Sequence, residues 1–443
     1  MAFLRSRRAL YIFLGVYTVA LIALIPVKSL WVDEIIDLNG VRNADLRGVL
    51  AFVPGNAGGV PLGYLVDFWM IKLFGYSVFV VRLPSVLFTV MTCLAVYILA
   101  SQAKLRAPLL ATALYAVSPM ALRYGLEARP YAQAACWSAF STVVFLSMVR
   151  TPAIGKASRY ALLVALGLFT QPYSIFVSVA HLIWVVLVKR NMRAAGFAGA
   201  AVAAASLAFL PWYFQAHAIW QGAINSGVRF FVSARDLLVI PHELMGTGYA
   251  GAALTAIAIG VALFGSPWSK IEKIFWILCM AIPLVLVPAA DSHFGYFLAA
   301  RQMIFALVPI SILIAACIEA RGWVVRGWGW VLPVALLGAS IYEDVRWTRR
   351  PGEGWQAAAS HLKQADCSIF IPSGARTMYL FFEPQLRVCD ENTLTTAGTV
   401  ALALSPDQYE DVYAEARQKL IQAGFRKVAD VREANPRVEL YRR

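Results

Sequence analysis

The chain has 443 residues, 60% of them hydrophobic and only 14% charged. Soluble domains average about 45–50% apolar and about 25% charged residues, so this balance excludes a soluble enzyme, a disordered chain and a secreted disulfide scaffold, and leaves a membrane protein of many spans. The net charge of +14 is not a nucleic-acid signature. Residues 1–342 carry 25 Lys and Arg against 11 Asp and Glu, whereas residues 343–443 carry 14 of each. The whole surplus lies in the apolar part, where it reports orientation.

A helix needs roughly 20 mostly apolar residues to cross a bilayer. Eleven apolar cores follow in chain order: 10–27, 78–100, 107–120, 131–148, 160–170, 175–188, 194–216, 249–264, 274–290, 303–318 and 323–342. The two shortest, 160–170 and 175–188, are separated by Gln171-Pro172-Tyr173-Ser174 and read as helices joined by a tight turn. The first core is not expected to be a cleaved leader, because its flank up to Trp31 has no small-x-small site. Trp31 instead suits a membrane-interface anchor.

Lys and Arg concentrate in short cytoplasmic loops. With the N-terminus inside, the inside loops hold Arg5, Arg7, Arg8, Lys104, Arg106, Arg150, Lys156, Arg159, Lys189, Arg190, Arg193, Lys270, Lys273, Arg321 and Arg326. That is 15 basic residues against 2 acidic ones, while the outside part before residue 343 has 10 and 9. An odd number of spans then puts the tail outside. Two outside stretches, 29–77 and 217–248, are too long to be plain connectors, and such loops are usually functional.

The tail, 343–443, has ordinary soluble composition and reads as a small α/β domain. Helical patterns cover 355–363 and 406–423, the second with Ser405 as N-cap. Strands are expected at 367–372 and 400–404, and edge strands at 428–431 and 438–441. Cys93, Cys136, Cys279 and Cys317 fall in spans and read as packing residues. Cys367 and Cys389 fall in the tail, where a disulfide and two free thiols are both open readings.

Asp33 and Glu34 follow the first span directly. Ionisable groups close to membrane depth are expensive, and are usually functional or paired. A fixed carboxylate there suits a general base, a metal ligand or a proton relay. The bland reading is an interface pair meeting Arg42 or Arg47. A second polar cluster runs from Ser118-Pro119 to Glu127-Ala128-Arg129-Pro130-Tyr131. It reads either as a helix turn or as a phosphate site, since guanidinium forks bind phosphate and Tyr131 offers a hydroxyl. Arg82 and Arg301 stand at the outer ends of spans, where snorkelling is the alternative to a site role. His242 beside Glu243 reads as a structural pair. With five His in the chain and no metal-binding spacing, no cofactor is expected, although a divalent metal is not excluded.

These residues, taken in order, resemble the bacterial GT-C glycosyltransferases, the group that includes protein O-mannosyltransferases and lipid A aminoarabinose transferase. Asp33-Glu34 is similar to the acidic motif after the first span. Pro61-Leu62-Gly63-Tyr64, Leu73-Phe74-Gly75 and Arg82-Leu83-Pro84-Ser85 resemble the P-L-Y, L-F-G and R-L-P-S series. Glu127-Ala128-Arg129-Pro130-Tyr131 resembles the E-A-R-P-Y segment, and Arg301 ahead of Pro309 resembles the late R-Y…P segment. The resemblance covers residues 1–342. The chain departs from it at Gly59-Val60, where a His-Pro pair is usual, and at Gln302, where Tyr is usual.

The resemblance implies transfer of a hexosyl or pentosyl group, with inversion, at the outer face of a bacterial inner membrane, beneath a periplasmic tail. The donor is a sugar on a polyprenyl phosphate, and the acceptor is a lipid, glycan or protein. Asp33 is then the base or an acceptor-orienting carboxylate, with Glu34 orienting substrate or loop. Arg129, Arg82 and Arg301 hold the donor phosphate, and Glu127, Tyr131, Tyr64, His242 and Glu243 support them. Membrane lipids are partners and nucleic acid is not. A transporter or flippase for a lipid-linked substrate is the rival reading, but the spans carry almost no charge and the polar residues gather on one face.

Overall fold

The computed structural model describes residues 4–443 apart from 5, 57–58, 226–231, 296, 321–322, 405–409 and 432–435. Arg5, Arg321 and Ser405 therefore lie outside the described residues, as does the side chain of Arg326.

Helix α1 (Arg7–Leu24) opens the chain, followed by the short helices α2 (Val32–Asn39) and α3 (Leu46–Phe52). Helix α4 (Pro61–Phe74) starts on proline, whose missing N–H is harmless at the first helical position, and stops at Gly75 with φ +79°. Helix α5 (Val78–Gln102) is capped by Ser77, whose side chain accepts from Val80 N at 3.1 Å. The expected span 107–120 is broken into α6 (Pro108–Ala116) and α7 (Pro119–Gly125). Pro119 explains the break, since it donates no hydrogen bond and disfavours helix at Ser118. Then follow α8 (Tyr131–Arg150), α9 (Ile154–Thr170), α10 (Ile175–Ile183), α11 (Met192–Asn225), α12 (Ala234–Met245), α13 (Gly248–Gly265), α14 (Lys270–Phe294), α15 (Leu307–Ala315) and α16 (Trp323–Arg349). The turn expected at 171–174 is a 3₁₀ turn, Pro172–Ser174. Much of the stretch 217–248 is helix rather than irregular loop, because α11 runs on to Asn225 and α12 follows.

Seven described helices are long and apolar enough to cross a membrane: Arg7–Val27, Val78–Gln102, Tyr131–Arg150, Met192–Ile219, Gly248–Gly265, Lys270–Phe294 and Ala300–Glu319. The chain is a multi-pass helical membrane protein. Among the other expected spans, 107–120 is split and 160–170 lies in a 17-residue helix.

The chain forms two compact units. Unit 1 comprises Met1–Ile25 and Leu46–Trp347. At its centre the Ala300–Glu319 helix is almost wholly enclosed. Helix α8 turns Ala132, Ala135, Cys136 and Ala139 inward, and such small residues let helices approach closely where lipid leaves little hydrophobic drive for association. Tyr11, Ile12, Val16 and Val19 of α1, and Leu207 and Phe214 of α11, are exposed, which suits a surface wetted by lipid rather than water.

Unit 2 comprises Pro26–Asp45 and Thr348–Arg443. It therefore joins α2 to the tail, with α17 (Trp355–Leu362), α18 (Arg376–Phe382), α19 (Glu391–Thr396), α20 (Glu410–Gln422) and four strands. These are β1 (Cys367–Ile371), β2 (Thr399–Leu404), β3 (Arg426–Val431) and β4 (Arg437–Arg442), in sheet order β1-β2-β4-β3. Strands β1 and β2 are parallel, and β4 runs antiparallel to both of its neighbours. Segment 428–431 is an edge strand as expected, but 438–441 is interior, because β4 pairs on both sides. Its Val438 and Tyr441 are buried in the core. Cys367 and Cys389 are joined by a disulfide.

Candidate active site

In unit 1 the motif segments converge through close contacts that the sequence makes sterically feasible. A Cβ on Gly63 of α4 would lie 3.0 Å from Pro130 Cβ, so glycine lets α4 lie against the turn that precedes α8. A Cβ on Gly125 would meet Thr89 Oγ1 of α5 at 2.6 Å. These approaches bring Pro61–Tyr64, Arg82–Ser85 and Glu127–Tyr131 together. Between them lies a small cleft whose lining includes Asp67, Ser85, Arg129 and Gln133. Asp67 and Gln133 were not singled out in the sequence. Their signal is helical spacing, since Asp67 is one turn past Gly63 and Gln133 almost one turn past Pro130.

Tyr131 is the hub of the basic residues. Its hydroxyl accepts from Arg301 Nε at 3.0 Å and, more weakly, from Arg129 Nη2 at 3.4 Å. Both guanidinium groups also lie over its ring, at 5.5 Å for Arg129 and 5.9 Å for Arg301. The ring packs edge-on against Tyr124 at 4.9 Å. Arg301 reaches this place from a 3₁₀ turn, Ala300–Ala306, that Gln302 caps. Gln302 accepts from Ala299 N and donates to Phe297 O, both at 3.0 Å. Glutamine at the position where the resemblance expects Tyr thus holds the turn that presents Arg301. Glu127 is buried and Arg129 half-buried. Arg129 and Arg301 thus share one acceptor on Tyr131, and guanidinium forks of this kind suit carboxylate and phosphate oxygens.

Arg82 is fully buried, and its Nη1 donates to Ile25 O at the exit of α1 at 3.0 Å. Tyr64 accepts from Asn56 Nδ2 at 2.7 Å. His242 lies against the ring of Tyr249 at 4.9 Å on α12, and Glu243 beside it is exposed. Among the described residues no group of three or more His, Cys, Asp or Glu is placed to hold a metal ion.

In unit 2, Asp33 and Glu34 occupy the first turn of α2, where carboxylates favour the positive end of the helix dipole. Asp33 is half-buried. Glu34 is fully buried, and its Oε2 accepts from Trp31 N at 3.2 Å, capping its own helix.

Residues 60–216 match the family described as dolichyl-phosphate-mannose-protein mannosyltransferase. No curated protein gives a significant match. Among solved structures, ArnT from Cupriavidus metallidurans in the apo state aligns over 98% of both chains with a TM-score of 0.60 and 14% identity. The same protein bound to undecaprenyl phosphate aligns over 98% of both chains with a TM-score of 0.53 and 13% identity. The chain thus has the fold of a GT-C membrane glycosyltransferase, as its motif series implied. The alignment with ArnT takes in the C-terminal residues of this chain as well as its helices, since it covers 98% of the chain.

Proposed function

We propose that the chain is a glycosyltransferase that moves a sugar from a polyprenyl phosphate to a hydroxyl or amine of a lipid, glycan or protein. Transfer takes place with inversion, at the outer face of a bacterial inner membrane. The observation that carries this reading is the meeting of Arg129 and Arg301 on Tyr131, in a chain that folds like a protein solved with undecaprenyl phosphate bound.

The acceptor gives its proton to Asp33 as its oxygen or nitrogen bonds to the anomeric carbon. The bond from that carbon to the phosphate oxygen breaks, and the polyprenyl phosphate leaves with the electron pair. Arg129 and Arg301 stabilise the charge on the departing phosphate, and Tyr131 sets their spacing. Arg82, spent on the Ile25 carbonyl, serves this reading best by fixing the exit of α1. A positioned base contributes roughly 10²–10⁴-fold.

The test is to incubate membranes containing the protein with polyprenyl phosphates carrying radiolabelled mannose, glucose or aminoarabinose, and to follow label into lipid, polysaccharide and protein. Attached label is expected, and Asp33→Asn should abolish it while the protein still accumulates. Label that only changes sides of the membrane establishes transport instead, and full transfer by Asp33→Asn removes Asp33 from the mechanism.

A further inference from the structure

We infer that Glu353, in the C-terminal tail, is a positioning residue for this reaction; the inference rests on the reading of Asp33 as the base. Helix α2 has eight residues, too few to be stable alone, and the N–H groups of its first turn need partners from outside the helix. The N-cap position is held by Trp31, whose side chain offers no acceptor. One of these amides, Val32 N, donates to Glu353 Oε2 at 2.8 Å, across 321 residues of sequence. Glu34 serves the preceding amide, as described above.

The clamp is itself fixed. The same Glu353 oxygen accepts from Trp355 Nε1 at 2.5 Å, and Trp355 is buried with its ring edge-on to Tyr379 at 5.3 Å. The chain ahead of α2 is tied to the same tail segment. Ser29 Oγ donates to the Glu353 backbone carbonyl, and Lys28 Nζ donates to that of Arg350. Gly352 comes so close that a Cβ there would stand 3.0 Å from Ser29 Oγ. Beyond α2, Arg42 Nη1 donates to Phe381 O at 3.0 Å, with its guanidinium 5.1 Å from the Phe381 ring. Asp33 is the residue next to the clamped amide. Its carboxyl is thereby aimed by a helix whose start is pinned by Glu353 and whose far side is held by α18. A misplacement of about 1 Å at a reacting group costs on the order of 10²-fold in rate.

The experiment uses the full-length protein, with undecaprenyl phosphate carrying whichever labelled sugar is transferred above. Glu353→Ala should lower kcat about 10- to 100-fold, with donor KM changed less than twofold. Glu353→Gln keeps an acceptor oxygen and should recover most of the rate. Val32→Pro removes the clamped N–H from the other side, using the residue best suited to a first helical position. It should reproduce the loss of kcat, and the double variant should be no slower than either single one. If Glu353→Ala does not accumulate, Glu353→Gln and Val32→Pro carry the test. Wild-type kcat in Val32→Pro or in folded Glu353→Ala, a loss confined to KM, or multiplying losses in the double variant would each overturn the inference. Asp33→Asn runs alongside. If it transfers normally, the functional reading fails; if it is dead while the Glu353 and Val32 variants work, only the positioning role fails.

Discussion

Tyr131→Phe removes one oxygen atom and leaves the rest of the arginine cluster in place. The ring keeps its edge contact with Tyr124 and its position beneath both guanidinium groups. What disappears is the acceptor shared by Arg301 Nε at 3.0 Å and Arg129 Nη2 at 3.4 Å. A hydrogen bond to a charged group is worth about 1.5–3 kcal/mol, and 1.36 kcal/mol is tenfold in rate. The 3.4 Å contact lies beyond the best range and adds little. The expected loss in kcat/KM for the polyprenyl-phosphate donor is therefore about 10- to 150-fold, toward the lower end. Accumulation and thermal stability should stay near wild type, because the packing is kept. The assay is initial-rate transfer from labelled donor, with the variant normalised to protein content. A kcat/KM within twofold of wild type would refute the idea that this hydroxyl organises the two arginines for the donor.

The other predictions concern the buried polar groups. Glu439, fully buried, accepts from Arg417 at 2.9 Å, Lys427 at 2.9 Å and Tyr441 at 2.9 Å; burial opposes its charge, but these bonds hold its carboxyl below the ordinary value. Its contribution to unit 2 is complete above the ordinary carboxylate range, near pH ~4.3, and is lost as pH falls toward the folded value. Acid titration followed by tryptophan fluorescence should show that limb, and Glu439→Gln should flatten it; an unchanged limb in the variant would contradict the assignment. Replacing Cys367 and Cys389 by Ser opens a loop of 22 residues separation and should cost unit 2 roughly 2–4 kcal/mol, measured by denaturant unfolding; a loss under about 0.5 kcal/mol would contradict it. In unit 1, His181 is buried between Tyr160 OH at 3.0 Å and Thr142 Oγ1 at 3.2 Å. Tyr160→Phe leaves a buried ring nitrogen without that partner, at a cost of about 1–3 kcal/mol; thermal inactivation should start lower while donor KM is unchanged, and an unaltered Tm would refute the cost.

Long apolar runs could be read from the sequence because burial in lipid leaves a composition signal. That is why α1, α5, α8, α13 and α14 fall where hydropathy puts them. Breaks were harder: Pro119 splits a run whose composition stays apolar on both sides. In the tail, α19 is announced only by an Asp390 to Thr393 capping box, and α18 is written in Tyr, Leu and Phe, which equally suit a strand. Strand β4 alternates identically whether one or both sides are paired, so its interior place was not legible. The candidate residues could be named from ordered motifs, but not their partners. Tyr131 meets Arg301 across 170 residues, and Val32 meets Glu353 across 321. Neither pairing leaves a local pattern.

Unit 2 is discontinuous: its first piece, Pro26–Asp45, is separated from the rest by the whole of Leu46–Trp347. The order of synthesis then constrains assembly. At about 5–20 residues per second, the partner of Val32 emerges roughly 15–60 s after Val32 itself. Throughout that interval the Val32 amide must be met by water or lipid headgroups. The helix bearing Asp33 thus leaves the ribosome well before Glu353 does, and a chain that terminates before Glu353, however well inserted, carries its carboxylate on an unfinished turn.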